Sequence, residues 1–333
     1  MSTEGGVKAV IAALAANLGI AVAKFVAFAV TGSSSMMSEG IHSLADSGNQ
    51  VLLLIGGKRA KAAPDSQHQF GYGRRRYVYG FVVSMILFSV GGLFALYEGI
   101  HKIEHPEQIH DAAWAIGVLL VAAALEGFSF RTALHEANRS RGEKSLFHYV
   151  RDTRQPELPV VLLEDSGALV GLVLALIGVT MSMVTGNGVW DGIGSASIGL
   201  LLLVIAGFLA LEMASMLVGE SAVPQEEGLI RSALESTPAV DRVIHLRTLH
   251  VGPDDILVAA KVAVDGDDSA ARIAAAIDDA ERRVRAAVPA ATYIYLEPDL
   301  DRFRPDAQPQ SPLSSGSSQP GGGFTQPHDE DPQ

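Results

Sequence analysis

Apolar positions gather into six long blocks, at residues 7–30, 36–57, 77–100, 112–134, 158–184 and 192–218. Each block reaches the ~20 residues that cross the hydrocarbon core of a bilayer, and six such helices in one small soluble domain would be far outside normal helix lengths. The pattern therefore predicts a membrane domain over residues 1–220, all-α, with six transmembrane helices. Past Ser221 the pattern changes. A helical period runs over Gln225–Ser236, strand-like runs follow at Val243–Val251 and Ile256–Val264, then comes an amphipathic helix over Ser269–Val288 and a last strand at Thr292–Leu296. This αββαβ order predicts a small cytoplasmic α+β module of ferredoxin-like type over residues 221–300. Residues 301–333 are rich in Pro, Gly, Ser and Gln without periodicity, the composition of a disordered tail.

Charge orients the spans. The segment after the second block carries Lys58, Arg59, Lys61, Arg74, Arg75 and Arg76, and the one after the fourth carries Arg139, Arg141, Lys144, Arg151 and Arg154. The opposite loops are uncharged or acidic: Thr31–Ser35 has no charge, and Lys102 is outweighed by Glu104, Glu107 and Asp111. Basic loops mark the cytoplasmic side, so both termini are expected there, in a membrane of the bacterial inner (plasma) type. The first block lacks a basic leader with a small-residue cleavage site and reads as a true span. The formal net charge is −12 and the C-terminal module is acidic, which argues against nucleic acid as a partner. The chain has no cysteine, so any metal ligands must be His, Asp or Glu.

Those residues occur where they are expensive. A carboxylate at mid-membrane costs ~2.5–3.5 kcal/mol on insertion scales, so intramembrane acids usually pair or line an ion path. In the second block, Glu39-Gly40-Ile41-His42-Ser43-Leu44-Ala45-Asp46 sets His42 and Asp46 at i and i+4, one turn apart on one face. An imidazole and a carboxylate at that spacing can share a tetrahedral Zn²⁺, or can simply neutralise each other in a hydrogen bond. In the fifth block, Glu164 and Asp165 interrupt an apolar helix side by side. Neighbouring helical residues point about 100° apart, so both cannot easily face one small site. Asp165 is the better ligand, and Glu164 is a ligand, a proton relay or a partner for another helix. Glu126, before the second basic loop, is a candidate for the access path and proton coupling.

The stretch Gly32-Ser33-Ser34-Ser35-Met36-Met37-Ser38-Glu39-Gly40-Ile41-His42-Ser43-Leu44-Ala45-Asp46-Ser47 resembles the second-helix signature of the cation diffusion facilitator family. Phe70-Gly71-Tyr72-Gly73-Arg74 before the third block is similar to that family's Phe/Tyr-Gly-x-Gly-basic motif, and Leu217-Val218-Gly219-Glu220 closes the sixth block in like manner. The resemblance covers about residues 7–300. It implies a homodimer that exports Zn²⁺, or Mn²⁺, Fe²⁺, Co²⁺, Ni²⁺ or Cd²⁺, in exchange for protons, with no cofactor beyond the transported ion. It also implies a site with two ligands from the second helix and two from the fifth, each pair spaced i, i+4. His42, Asp46 and Asp165 match three of these positions. The fourth falls on Val161, and Glu164 stands beside Asp165 instead, as in the branch that holds the mitochondrial zinc exporter of animals. A donor set of one nitrogen and several oxygens accepts Zn²⁺ and also Mn²⁺, Fe²⁺ or Co²⁺. The resemblance further implies accessory sites: Asp65 and His68 match two of three loop ligands, with Tyr72 at the third. His245, His250 and Glu297 are what remains of a C-terminal site, where Lys261 and Tyr295 stand near positions that carry histidine in other members. The rival readings are an organic-substrate carrier, a metal sensor and a metal-dependent membrane enzyme. The sequence offers no separate nucleophile and no His-Glu-x-x-His helix for the last of these, and the protein reads as a transporter and not an enzyme.

Overall fold

The computed structural model describes residues 3–140, 145–146 and 157–300. The expected disordered tail and the inner part of the second basic loop lie outside the described residues. The membrane domain is built from α1 (Thr3–Thr31), α2 (Ser34–Ala60), α3 (Arg75–Glu104), α4 (Ala112–Ser140), α5 (Glu157–Thr185) and α6 (Val189–Val218). Among the described residues, four helices are long and apolar enough to cross a membrane: α3, α4 over Ala112–His135, α5 over Pro159–Thr185, and α6. In α1 the stretch Asn17–Thr31 is apolar and helical. The second falls outside the set because a polar stripe of Ser35, Ser38, Glu39, His42, Ser43, Asp46, Ser47 and Asn49 runs down it, all buried. What α2 lacks in apolarity it hides in contacts with its neighbours, the arrangement hydrocarbon demands of polar side chains.

Two kinds of seam hold the bundle. Between α3 and α6 the backbones nearly touch. A Cβ added at Gly99 would fall onto the backbone of Ala196, one at Gly199 onto that of Leu96, and one at Gly192 would come within 2.9 Å of the Gly99 carbonyl oxygen. Small residues permit this approach, and it supplies dispersion where lipid removes the hydrophobic drive. Within the same seam α3 widens into a π-helical stretch at Leu87–Leu93 around Gly91 and Gly92. The second kind is polar and joins α2 to its neighbours. Its N-terminus is anchored by Asp191 of α6: the carboxylate accepts from the Ser33 hydroxyl at 2.8 Å and from the backbone N–H groups of Ser34 at 2.6 Å and Ser35 at 3.2 Å. An anion on unpaired helix N–H groups and the positive end of the helix dipole is favourable, more so when buried.

The C-terminal module follows as α7 (Pro224–Glu235), β1 (Arg242–Gly252), β2 (Asp255–Ala263), α8 (Ala270–Ala287) and β3 (Tyr293–Asp299). This is the αββαβ order expected from the sequence. The sheet order is β1-β2-β3, with β1 antiparallel to β2 and β2 parallel to β3 across the α8 crossover. Ile230, Leu234, Ile256, Val258, Ala280 and Val284 form its core. The loop before α3 docks on this module. Gly73 lies against Gly252, where a Cβ would meet the Gly252 Cα at 2.8 Å, Phe70 packs edge-on against Tyr293, and Arg76 pairs with Asp254 at 2.8 Å.

Candidate metal centre

The α2 stripe places Glu39, His42, Asp46 and Asn49 at successive intervals of three or four residues, so one helix face carries all of them. His42 is 1% exposed, and neither ring nitrogen has a hydrogen-bond partner. Its Nε2 stands 3.4 Å from the Asp46 Oδ2, and Asp46 Oδ1 is likewise unpartnered. Buried imidazole nitrogens normally find partners, so a bare ring beside a bare carboxylate oxygen is a pair with coordination capacity left over.

On α5 the two adjacent carboxylates diverge. Glu164 accepts a hydrogen bond from Asn49 Nδ2 of α2 at 2.7 Å, while Asp165 accepts from the Ser129 hydroxyl of α4 at 3.1 Å. Glu164 thus lies on the α2 side and Asp165 on the α4 side. Glu126, also buried, lies within electrostatic reach of His42, Asp46, Asp165 and Lys24. The elements α2, α4 and α5 therefore bring His42, Asp46, Glu126, Glu164 and Asp165 into one region. They do not close it into a coordination sphere: among the described residues no three His, Asp or Glu side chains stand together at metal-holding separation.

The accessory candidates separate further. Asp65 accepts from the phenol of Tyr72 and from the backbone N–H groups of His68 at 2.7 Å and Gln67 at 2.9 Å. These bonds, that of Tyr72 first, push the Asp65 carboxyl down to about 2. His68 stays near it, with Nδ1 at 3.5 Å from Asp65 Oδ1, but Asp65 is already engaged in the loop's own turn. In the sheet, His245, His250 and Glu297 do not meet. His245 is paired across the strands with Lys261, which in turn is paired with Glu297. The Lys261 ammonium lies 3.2 Å from Glu297 and 2.8 Å from Asp299, and these bonds push its pKa up. A protein cation thus stands between His245 and Glu297. His250 sits at the opposite end of β1, beside Ile256.

Two groups escaped the sequence reading. Lys24, inside α1, is 0% exposed and donates to Glu39 Oε2 at 2.9 Å and to the Ser43 hydroxyl at 2.7 Å. Asp191 joins α6 to α2 as described above. A Lys deep in an apolar span next to a span that carries an unmatched Glu was the available signal for the first.

Residues 10–218 match the family model described as the cation efflux transmembrane domain, and residues 223–299 match the model for the cation efflux protein cytoplasmic domain. The chain belongs to the cation efflux family. It is 32% identical over 265 residues to the mouse protein named proton-coupled zinc antiporter SLC30A9, mitochondrial, covering 79% of this chain and 47% of that one. The Xenopus laevis protein of the same name is 34% identical over 268 residues, covering 80% and 48%. The chain thus spans about half the length of these curated relatives, and it lies near their branch of the family. The cation-efflux pump FieF of Pectobacterium atrosepticum is 24% identical over 273 residues, covering 78% of this chain and 85% of that one. Among solved structures, one titled MamM-CTD is 23% identical, with a TM-score of 0.22, and covers 22% of this chain and 94% of that chain.

Proposed function

We propose that this membrane protein exports divalent transition-metal ions, Zn²⁺ foremost, in exchange for protons. In this reading His42 and Asp46 on α2 take the ion together with Asp165, and with Glu164 as the fourth donor. The observation that carries it is the buried His42 ring with both nitrogens unpaired, its Nε2 3.4 Å from Asp46, whose Oδ1 is also buried without a partner. Neutral imidazole and ionised carboxylates are the forms that bind a metal, so loading releases protons and protons arriving from the far side displace the ion. Imidazole ordinarily titrates near neutral pH, which makes His42 the natural coupling group, and Glu126 a carboxylate through which protons reach it.

Transport requires the α2 and α5 donors to close on the ion. In the described conformation Asn49 holds Glu164 and Ser129 holds Asp165. Both bonds are neutral donors on carboxylates, ready to exchange for a cation of higher charge. Two copies of the chain associate through the C-terminal module, with both termini on the cytoplasmic side of a bacterial inner membrane. The similarity to proteins named proton-coupled zinc antiporters supports the choice of Zn²⁺ and of protons. One Zn²⁺ flux measurement in proteoliposomes under a pH gradient tests the reading. Flux is expected in the parent and absent in Asp46→Ala and Asp165→Ala. Parental flux in both variants would defeat the assignment.

A further inference from the structure

The Lys24–Glu39 pair has no part in the transport scheme, yet it adjoins the centre on the same α2 face. Glu39 lies three residues before His42 and seven before Asp46, so its carboxylate belongs to the stripe that holds both. It is 0% exposed, and only one of its oxygens is used: Oε2 takes the Lys24 ammonium, while Oε1 has no partner. The free Oε1 reaches across to α5, where a Cβ on Gly171 would come within 2.6 Å of it. Gly171 is seven residues past Glu164, on the same α5 face, so Glu39 Oε1 and Glu164 enter the same α2–α5 seam. The ammonium is held a second time, by Ser43, the residue after His42. The groups that face Lys24 are thus Glu39 and Ser43 directly, with His42, Asp46 and Glu126 within electrostatic reach.

We propose that Lys24 is a specificity-determining residue of the transport site, whose tethered ammonium keeps the Glu39 carboxylate out of the ion's coordination. With Glu39 withheld, the donors open to an ion are the imidazole and a small number of oxygens, which suits four-coordinate Zn²⁺. With Glu39 released, a further hard oxygen on the His42 face joins the set and raises the coordination number, which favours Mn²⁺ relative to Zn²⁺. The inference rests on the reading of His42 and Asp46 as the ion's ligands.

The experiment is competition between Zn²⁺ and Mn²⁺, measured as equilibrium binding to the full-length protein in detergent and as flux in proteoliposomes. Lys24→Met is expected to raise the Mn²⁺-to-Zn²⁺ ratio about tenfold, the scale of one added ligand interaction. Lys24→Met combined with Glu39→Gln removes both charges together and is expected to return the ratio to the parental value. Lys24→Leu removes the donor to Glu39 as well and carries the same test where Lys24→Met does not accumulate. A purely structural role would lower binding and flux of both ions in proportion and leave their ratio fixed. A parental ratio in the folded single variants overturns the proposal, and so does a shift that persists in the double variant. Asp46→Ala run alongside separates the two readings. Parental flux there defeats the transport site itself, whereas lost flux there with an unmoved ratio in the Lys24 variants defeats this inference alone.

Discussion

The α3–α6 and α2–α5 seams lie in the same bundle and obey opposite rules. Along α3–α6, Gly99, Gly192 and Gly199 bring backbone onto backbone, with no space for a methyl group. Along α2–α5, Glu39, His42 and Asp46 carry buried atoms without partners, and single hydrogen bonds hold Glu164 and Asp165 to their neighbours. The first arrangement gains dispersion in one geometry and loses it steeply with any displacement. The second leaves buried polar groups short of partners, which destabilises the protein and persists where a ligand or a motion uses it. Under the proposed function, stability and transport thus fall to different pairs of helices.

The contrast breaks most sharply at Asp46. Asp46→Ala is expected to cut Zn²⁺ flux by about 100-fold or more, while folded yield and melting temperature hold, since the lost carboxyl had an oxygen, Oδ1, buried without a partner. Flux in proteoliposomes and a thermal melt on the same preparation check both halves. Gly99→Leu should do the reverse. Its side chain has to displace the Ala196 backbone, at a cost of about 1–3 kcal/mol or more, so folded protein is lost while the surviving fraction keeps its ion affinity. A smaller effect is expected at Asn49. Asn49→Leu leaves Glu164 without its donor, and a change of about threefold to tenfold in apparent Zn²⁺ affinity follows if Glu164 is a ligand. Unchanged affinity would make Glu164 a bystander. The smallest effect belongs to the junction with the sheet module. Arg76→Ala removes a pair with the exposed Asp254 and should lower stability by only about 0.2–1 kcal/mol, a difference that vanishes in high salt. Melts at low and high ionic strength check it.

Much of this was legible in the sequence because it rests on local periodicity. The apolar blocks, the αββαβ order, and the i, i+4 relation of His42 and Asp46 follow from positions along the chain. The divergence of Glu164 and Asp165 was legible too, since the helix rise and turn dictate it. What the sequence hid depends on which helix lies next to which. Lys24 looks like a defect in α1 until Glu39 and Ser43 are seen against it. Asp191 looks like a loop residue until its carboxylate is found on the first turn of α2, more than 150 positions away in the chain. The π-helical stretch in α3 answers to packing around Gly91 and Gly92 and has no signature in hydropathy. In the C-terminal module the sequence placed His245 and His250 on the first strand but ended the last one at Leu296, one residue short of Glu297, which β3 includes. The register then set Lys261 between two of them and left the third at the far end.

The Asp191 contact turns α2 into a rod fixed at one end. About 22 Å of helix separates Ser34 from Asn49, so a tilt of about 5° around the pinned end would sweep Asn49 through about 2 Å. That arc exceeds the tolerance of the 2.7 Å bond between Asn49 and Glu164. A small rotation at the pinned end is thereby magnified into a make-or-break event deep in the helix, with His42 and Asp46 at intermediate radius.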